Sequence, residues 1–241
     1  MSKLIRSITI DTVSSLMNNY YNNAKMPTQG DWRDWGQQVY NLIRQLKEMN
    51  FIVVFIIGNE GCGKTQGMAY LEPGTNLWFN LDRKDVPSRK VFDYEGVGKY
   101  KLRDVYGSIF KPTPLNQRVK SYPEILDIVR KGIAKKRFAE ERVAFMTGHP
   151  TTRKGTKGED ITDLNLLGNF SSKFRVLGMG DYTFEALKTD AELNNGYVYQ
   201  TKGEDSFART IEGTFQDKDF LDEEKELIPN NFELIRKRIF S

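Results

Sequence analysis

Cysteine and histidine are nearly missing from this chain, whose 241 residues hold one of each, Cys62 and His149. A lone cysteine excludes an internal disulfide and any metal site built from cysteines. No apolar run approaches the roughly 20 residues of a membrane-spanning helix, and the longest, Phe51–Ile57, reads better as a strand. The opening MSKLIRSITID has neither the apolar core nor the small-residue cleavage site of a secretory signal, so the expectation is a cytoplasmic protein with no membrane partner. A strong charge of one sign is lacking too. The net charge of +4 permits contact with nucleic acid without demanding it. Charged residues at 28% and hydrophobics at 39% describe an ordinary globular chain, long enough for one sizeable core.

What is present is concentrated in FIVVFIIGNEGCGKTQGMAYL, Phe51 to Leu71. Its first seven residues are β-branched and aromatic, as in a strand buried on both faces. Gly58, four residues, then Gly63-Lys64-Thr65 fit the P-loop spacing in full. Gly58, Gly61 and Gly63 let the backbone curl so that successive N–H groups face a polyphosphate. Lys64 is placed to reach the β- and γ-phosphates, and Thr65 to offer its hydroxyl to Mg²⁺. The candidate nucleotide contacts are Gly58, Asn59, Glu60, Gly61, Cys62, Gly63, Lys64, Thr65 and Gln66. Gln66 to Leu71 can open a helix whose N-terminus favours negative charge. Cys62 occupies a variable position of the loop and reads as an oxidation-sensitive loop residue.

Strand and helix patterns alternate along the rest. LIRSITID is a short buried strand ending in Asp11, and DWRDWGQQVYNLIRQLKEM is an amphipathic helix with Asp31 as a plausible N-cap. A strand from Asn76 to Leu81 ends at Asp82. Residues 85–120 form an irregular insertion rich in Gly, Pro and basic residues. Tyr122 to Phe138 is amphipathic, and Val143 to Pro150 is another buried strand. TTRKGTKGED, 151–160, is a basic, flexible loop. Leu164 to Leu177 is a candidate helix and Gly196–Thr201 a candidate strand. Residues 203–241 form a tail closed by a helix from Phe232 to Phe240. The fold class expected is α/β, a mostly parallel sheet flanked by helices in one domain. In such sheets ligands sit at the carboxyl ends of the strands.

Four strand ends carry polar chemistry: Asp11-Thr12, the P-loop, Asp82 and Thr147-His149. An NTPase needs a carboxylate that holds Mg²⁺ at the end of an apolar strand. Downstream of the P-loop no such run occurs, since VAFMTGH ends in His149. SITIDT lies upstream, so Asp11 is the candidate metal carboxylate beside Thr65, in a circularly rearranged order. The alternative is an edge strand ending in a turn aspartate. Asp82 either polarises the attacking water or caps a turn with Arg83 and Lys84. Thr147 and His149 stand where sensor residues would meet the γ-phosphate, against a structural role for the lone histidine. Lys202 and Arg209 are candidates for a basic finger reaching a neighbouring subunit, against plain surface solvation.

SITIDTVSSLMNN and DWRDWGQQVYNLI resemble the Walker B region of phage-encoded RecA-like ATPases of single-strand annealing and recombination. VAFMTGHP and the closing TKGEDSFARTIEGTF…LIPNNFELIRKRI resemble the tail of that group. The resemblance covers most of the chain, and only the P-loop is highly specific. It implies a RecA-like P-loop core, ATP and Mg²⁺, self-assembly into a homo-oligomer, and a DNA-linked task in the cytoplasm of an infected host. Single-stranded DNA and a single-strand-binding protein are the partners it implies. Arg153, Lys154 and Lys157 would supply salt-sensitive contacts to DNA, with Tyr100, Tyr106 or Phe110 stacking on bases. The competing readings are a nucleotide-stabilised virion or assembly protein with little turnover, and a small-molecule kinase.

Overall fold

The computed structural model describes residues 3–13, 29–72, 74–81, 103–104, 121–154, 160–165, 176–190, 193–203 and 206–241. In chain order these contain β1 (Ile5–Asp11), α1 (Gln29–Glu48), β2 (Phe51–Ile57), β3 (Asn76–Asn80), β4 (Arg103–Asp104) and α2 (Tyr122–Ala134). They continue with β5 (Phe138–Gly148), β6 (Pro150–Lys154), β7 (Asp160–Leu164), β8 (Tyr182–Lys188), β9 (Tyr197–Gln200), β10 (Leu227–Pro229) and α3 (Phe232–Ile239). Eight strands form one sheet in the order β10-β9-β8-β2-β5-β1-β3-β4. The pairings from β4 across to β8 are parallel, and β8-β9-β10 close that side antiparallel. The chain is therefore α/β with a mostly parallel sheet. Among the described residues no helix is long and apolar enough to cross a membrane.

Alternation along each central strand divides the core between two faces. Ile8, Ile10, Val53, Phe55, Ala144 and Met146 point to the face covered by α1 and α2. Helical spacing puts Val39, Leu42, Ile43 and Leu46 of α1 against it, all fully buried. Asn50, at φ 60°, makes the tight left-handed turn that sends the chain from α1 straight into β2. In α2, Pro123 occupies the first turn, where its missing N–H costs nothing, and Ile125 and Val129 fill the core. The helix stops at Ala134, four residues earlier than its periodicity suggests, because Lys136 takes a left-handed φ of 53° and Phe138 begins β5. α1 likewise begins two residues ahead of Asp31.

Val54, Ile56, Val143, Phe145 and Phe184 point to the opposite face. There the P-loop is followed by a five-residue 3₁₀ turn, Gln66–Tyr70, and not by the expected α-helix. The volume such a helix would fill is taken by α3, whose Phe232 stacks on Phe145 with ring centroids 4.2 Å apart. Within residues 203–241, β10 pairs with β9 in the main sheet, and α3 buries Phe232 and Ile235 in the core. At the two ends of the basic loop expected at 151–160, β6 and β7 pair antiparallel from Pro150–Leu164 to Lys154–Asp160, and 155–159 lie outside the described residues. Leu164 ends β7 and Leu177 opens a 3₁₀ turn, so both ends of the candidate helix 164–177 are non-helical. Buried Asp163 sets this geometry by accepting the N–H groups of Leu164, Val176 and Leu177 at 2.8, 3.2 and 3.0 Å.

The chain leaves β2 over the α3 face, where Met68, Ala69 and Leu71 are buried. Beyond β5 and its hairpin it reaches the α1 face, where Val176 and Leu177 are buried. Neighbouring parallel strands whose connections go to opposite faces leave a crevice at their carboxyl ends. Here that crevice lies between the P-loop and Thr147.

Candidate phosphate-binding site

Gly61 and Gly63 hold φ of +76° and +78°, and Cys62 between them does not. This alternation is the backbone nest that turns consecutive N–H groups to one side. Gly58 is required for a different reason. A Cβ there would come within 2.5 Å of the Ala186 carbonyl oxygen on β8, so the loop can start only where the side chain is absent. Lys64 is folded over its own loop, 8% exposed, donating from Nζ to the carbonyls of Gly58 at 2.8 Å and Asn59 at 2.6 Å. Its position is held by main-chain oxygens that no side-chain substitution in the loop can remove.

Asp11, 54 residues upstream of Thr65, arrives at the same place. β5 lies between β1 and β2, so the two strands are not neighbours. Their ends nevertheless converge: Thr65 Oγ1 donates to Asp11 Oδ2 at 2.9 Å, and Thr147 Oγ1 donates to Asp11 Oδ1. Thr12 Oγ1 lies at 3.5 Å from the same Oδ1. Thr147 clasps the strand end twice, because its carbonyl also accepts the Val13 N–H at 2.9 Å. Tyr122 donates its hydroxyl to the Val13 carbonyl, tying α2 to the same bend. Asp11 is 4% exposed, so a carboxylate with two hydroxyl donors is held facing the P-loop threonine.

A cavity of about 210 Å³ is lined by Asp11, Thr12, Glu60, Gly61, Gly63, Lys64, Thr65, Gln66, His149 and Tyr197. That is smaller than the roughly 300 Å³ at which pockets begin to enclose a whole small ligand. Asn59 and Cys62 serve the loop from behind, through the Asn59 carbonyl that receives both Lys64 Nζ and Cys62 Sγ. His149 and Thr12 both line the cavity. Asp82 lies outside the described residues, as do Tyr100, Tyr106, Phe110 and Lys157. The basic-finger candidates lie away from the loop. The Arg209 guanidinium donates to the Gly180 carbonyl at 2.9 Å, and Lys202 follows β9 as that strand runs away from the cavity.

Among the described residues no group of three or more His, Cys, Asp or Glu side chains gathers into a metal cage. Mg²⁺ does not need one, since it takes one or two protein oxygens and completes its shell with phosphate and water. The Thr65 hydroxyl and the Asp11 carboxylate are hard oxygen donors of the right kind, side by side in the lining of the cavity.

The sequence expectation for Cys62 is an oxidation-sensitive loop residue. It is 5% exposed, and burial pushes its thiol up, against the downward pull of the Lys64 charge. The thiol stays protonated at neutral pH and donates to the Asn59 carbonyl at 2.8 Å. Since the thiolate is the reactive form, iodoacetamide is expected to label Cys62 in the folded chain at least about tenfold more slowly than in urea. Mass-spectrometric labelling kinetics check this, and equal rates would show that the loop opens freely.

Sequence reasoning missed Tyr197, Tyr199 and Asn230. Tyr199 donates its hydroxyl to the Lys64 carbonyl at 3.0 Å, and Asn230 Nδ2 donates to the Gly63 carbonyl at 2.8 Å. These contacts span 135 and 167 residues, and no local spacing encodes them. No protein-family model, curated protein or solved structure matches the chain.

Proposed function

We propose that this chain binds ATP with Mg²⁺ in the cavity and hydrolyses it, on a RecA-like core whose metal-side strand comes first in the chain. The observation that carries the reading is the 2.9 Å contact of Thr65 Oγ1 with Asp11 Oδ2. A P-loop threonine and a buried carboxylate at the end of an apolar strand are the two protein groups that Mg²⁺–triphosphate chemistry needs. The order of strands along the chain does not matter to it. Thr65 and Asp11 would hold Mg²⁺ there, which would supply positive charge to the phosphate oxygens.

The protein's own contributions follow from the geometry. The Gly61–Thr65 nest receives phosphate oxygens. Lys64 adds an ammonium whose aim is fixed by the Gly58 and Asn59 carbonyls. Thr147 fixes the rotamer of Asp11, and Asp11 in turn orients the Thr65 hydroxyl. His149 lines the cavity just after β5, which supports a contact with the terminal phosphate or the attacking water. Calorimetric titration with ATP and Mg²⁺, paired with a phosphate-release assay, tests the reading. Absence of binding overturns it, and tight binding without turnover would mark a nucleotide-stabilised assembly protein instead.

The DNA-linked task rests on the β6–β7 hairpin, which leaves β5 one residue beyond His149 and carries Arg153 and Lys154. Lys154 is exposed and paired with Asp160 at 2.9 Å, a contact that a phosphate could replace because surface pairs contribute little. Fluorescence titration with single-stranded DNA, with and without ATP, is expected to show binding that weakens steeply with salt. No binding at low salt would remove the DNA role and leave the ATPase.

A further inference from the structure

We propose that Tyr199 and Asn230 are positioning residues of the phosphate site, aiming its N–H groups from behind and coupling nucleotide binding to docking of the C-terminal segment. The proposal rests on the P-loop reading above. A trans peptide is planar, so its C=O and N–H point in opposite directions. Whatever fixes the Gly63 carbonyl therefore aims the Lys64 N–H, and whatever fixes the Lys64 carbonyl aims the Thr65 N–H.

In a regular α-helix those two carbonyls would accept the N–H groups of Gly67 and Met68. Here the ladder is interrupted. Gln66 donates to the Gly63 carbonyl at 2.9 Å and Met68 to the Thr65 carbonyl at 3.1 Å, as in a 3₁₀ turn. The phenol of Tyr199 is inserted into the gap, donating to the Lys64 carbonyl at 3.0 Å. Asn230 Nδ2 takes the second lone pair of the Gly63 carbonyl. The fit is close: a Cβ on Gly67 would lie 2.4 Å from the Tyr199 hydroxyl and 2.5 Å from Asn230 Oδ1. Tyr199 is fully buried and Asn230 is 2% exposed, so neither contact competes with solvent.

Both side chains belong to one block. Tyr199 pairs with Ile228 in the antiparallel β9–β10 ladder, and Asn230 follows two residues beyond that partner. Asn231 then caps α3 by accepting the Leu234 N–H at 3.0 Å, and Phe232 locks α3 onto Phe145. A ligand that draws on the Lys64 and Thr65 N–H groups strengthens this docking, and by linkage the docking strengthens the ligand's hold.

The test is calorimetric titration of ATP with Mg²⁺ into the wild type, Tyr199→Phe, Asn230→Ala and Lys64→Ala. Hydrogen exchange over residues 227–241 is followed in parallel, with and without nucleotide. Each of Tyr199→Phe and Asn230→Ala is expected to raise the ATP Kd about tenfold, the loss of one hydrogen bond. Nucleotide is expected to slow exchange over 227–241 in the wild type and to lose that effect in Tyr199→Phe, a readout that general destabilisation does not produce. Unchanged Kd in both folded variants, or wild-type exchange indifferent to ATP, overturns the proposal. Should a variant fail to fold, the wild-type exchange result decides alone. Wild type that binds no ATP, or Lys64→Ala that binds as the wild type does, would instead overturn the phosphate-site reading beneath it.

Discussion

Asp11→Asn is expected to bind ATP within a few-fold of the wild type and to hydrolyse it about 10²–10³-fold more slowly, the usual cost of removing one preorganised electrostatic group. Asparagine keeps the shape and one carbonyl oxygen, so either Thr65 or Thr147 can still donate to it. What it loses is the negative charge and the second acceptor, and with them the simultaneous hold on both hydroxyls. The fold should survive, because Asp11 is held by the Val13–Thr147 main-chain contact as well as by its side chain. Initial rates of phosphate release at saturating ATP, beside a calorimetric Kd, separate the two effects. Normal turnover would remove Asp11 from the metal side of the site. A Kd raised as much as the rate is lowered would show that Asp11 shapes the nest and does not act on the chemistry.

The parts of this site legible in the sequence are those written in consecutive residues. β2, the centre of β3 and the second half of β5 are dense apolar runs, β1 alternates apolar with polar positions, and burial leaves such patterns few alternatives. Their carboxyl ends were therefore placed together by the rule for parallel sheets. The P-loop spacing carries its own backbone geometry. By contrast β8, YTFEALK, mixes Glu185 and Lys188 with its apolar positions because it lies near the sheet margin, and no strand was expected there. The hairpin at 150–164 was hidden for the same reason, since its pairing rests on backbone and on Asp163 more than on an apolar face. The truncated helix after the P-loop has a further cause. Gln66 to Leu71 is compatible with a helix apart from Gly67, and α3 together with Tyr199 and Asn230, all from the far end of the chain, occupies the space and main-chain partners that a helix would use. Local propensity is a weak prior wherever a distant side chain can take over a main-chain partner.

Lys64→Ala is expected to lower ATP affinity about 10²-fold, the scale of a charge-assisted hydrogen bond to phosphate. From sequence alone the residue faces ligand, and its removal would leave the fold untouched. The structure changes that second expectation. Lys64 Nζ is also the donor to the Gly58 and Asn59 carbonyls, at 2.8 and 2.6 Å in a buried setting. Truncation strips both oxygens of that donor, which costs about 1–3 kcal/mol of unliganded stability where water cannot enter freely. The loop is then less well ordered before any phosphate arrives, and part of the affinity loss is the cost of reordering it. Thermal melts without nucleotide separate the two contributions: a lowered melting temperature in Lys64→Ala marks the structural share, and the additional loss in the titration marks the contact with phosphate. An unchanged melting temperature would show that the lysine is held by its carbonyls without holding them. An affinity within about threefold of the wild type would mean that this ammonium does not meet the ligand at all.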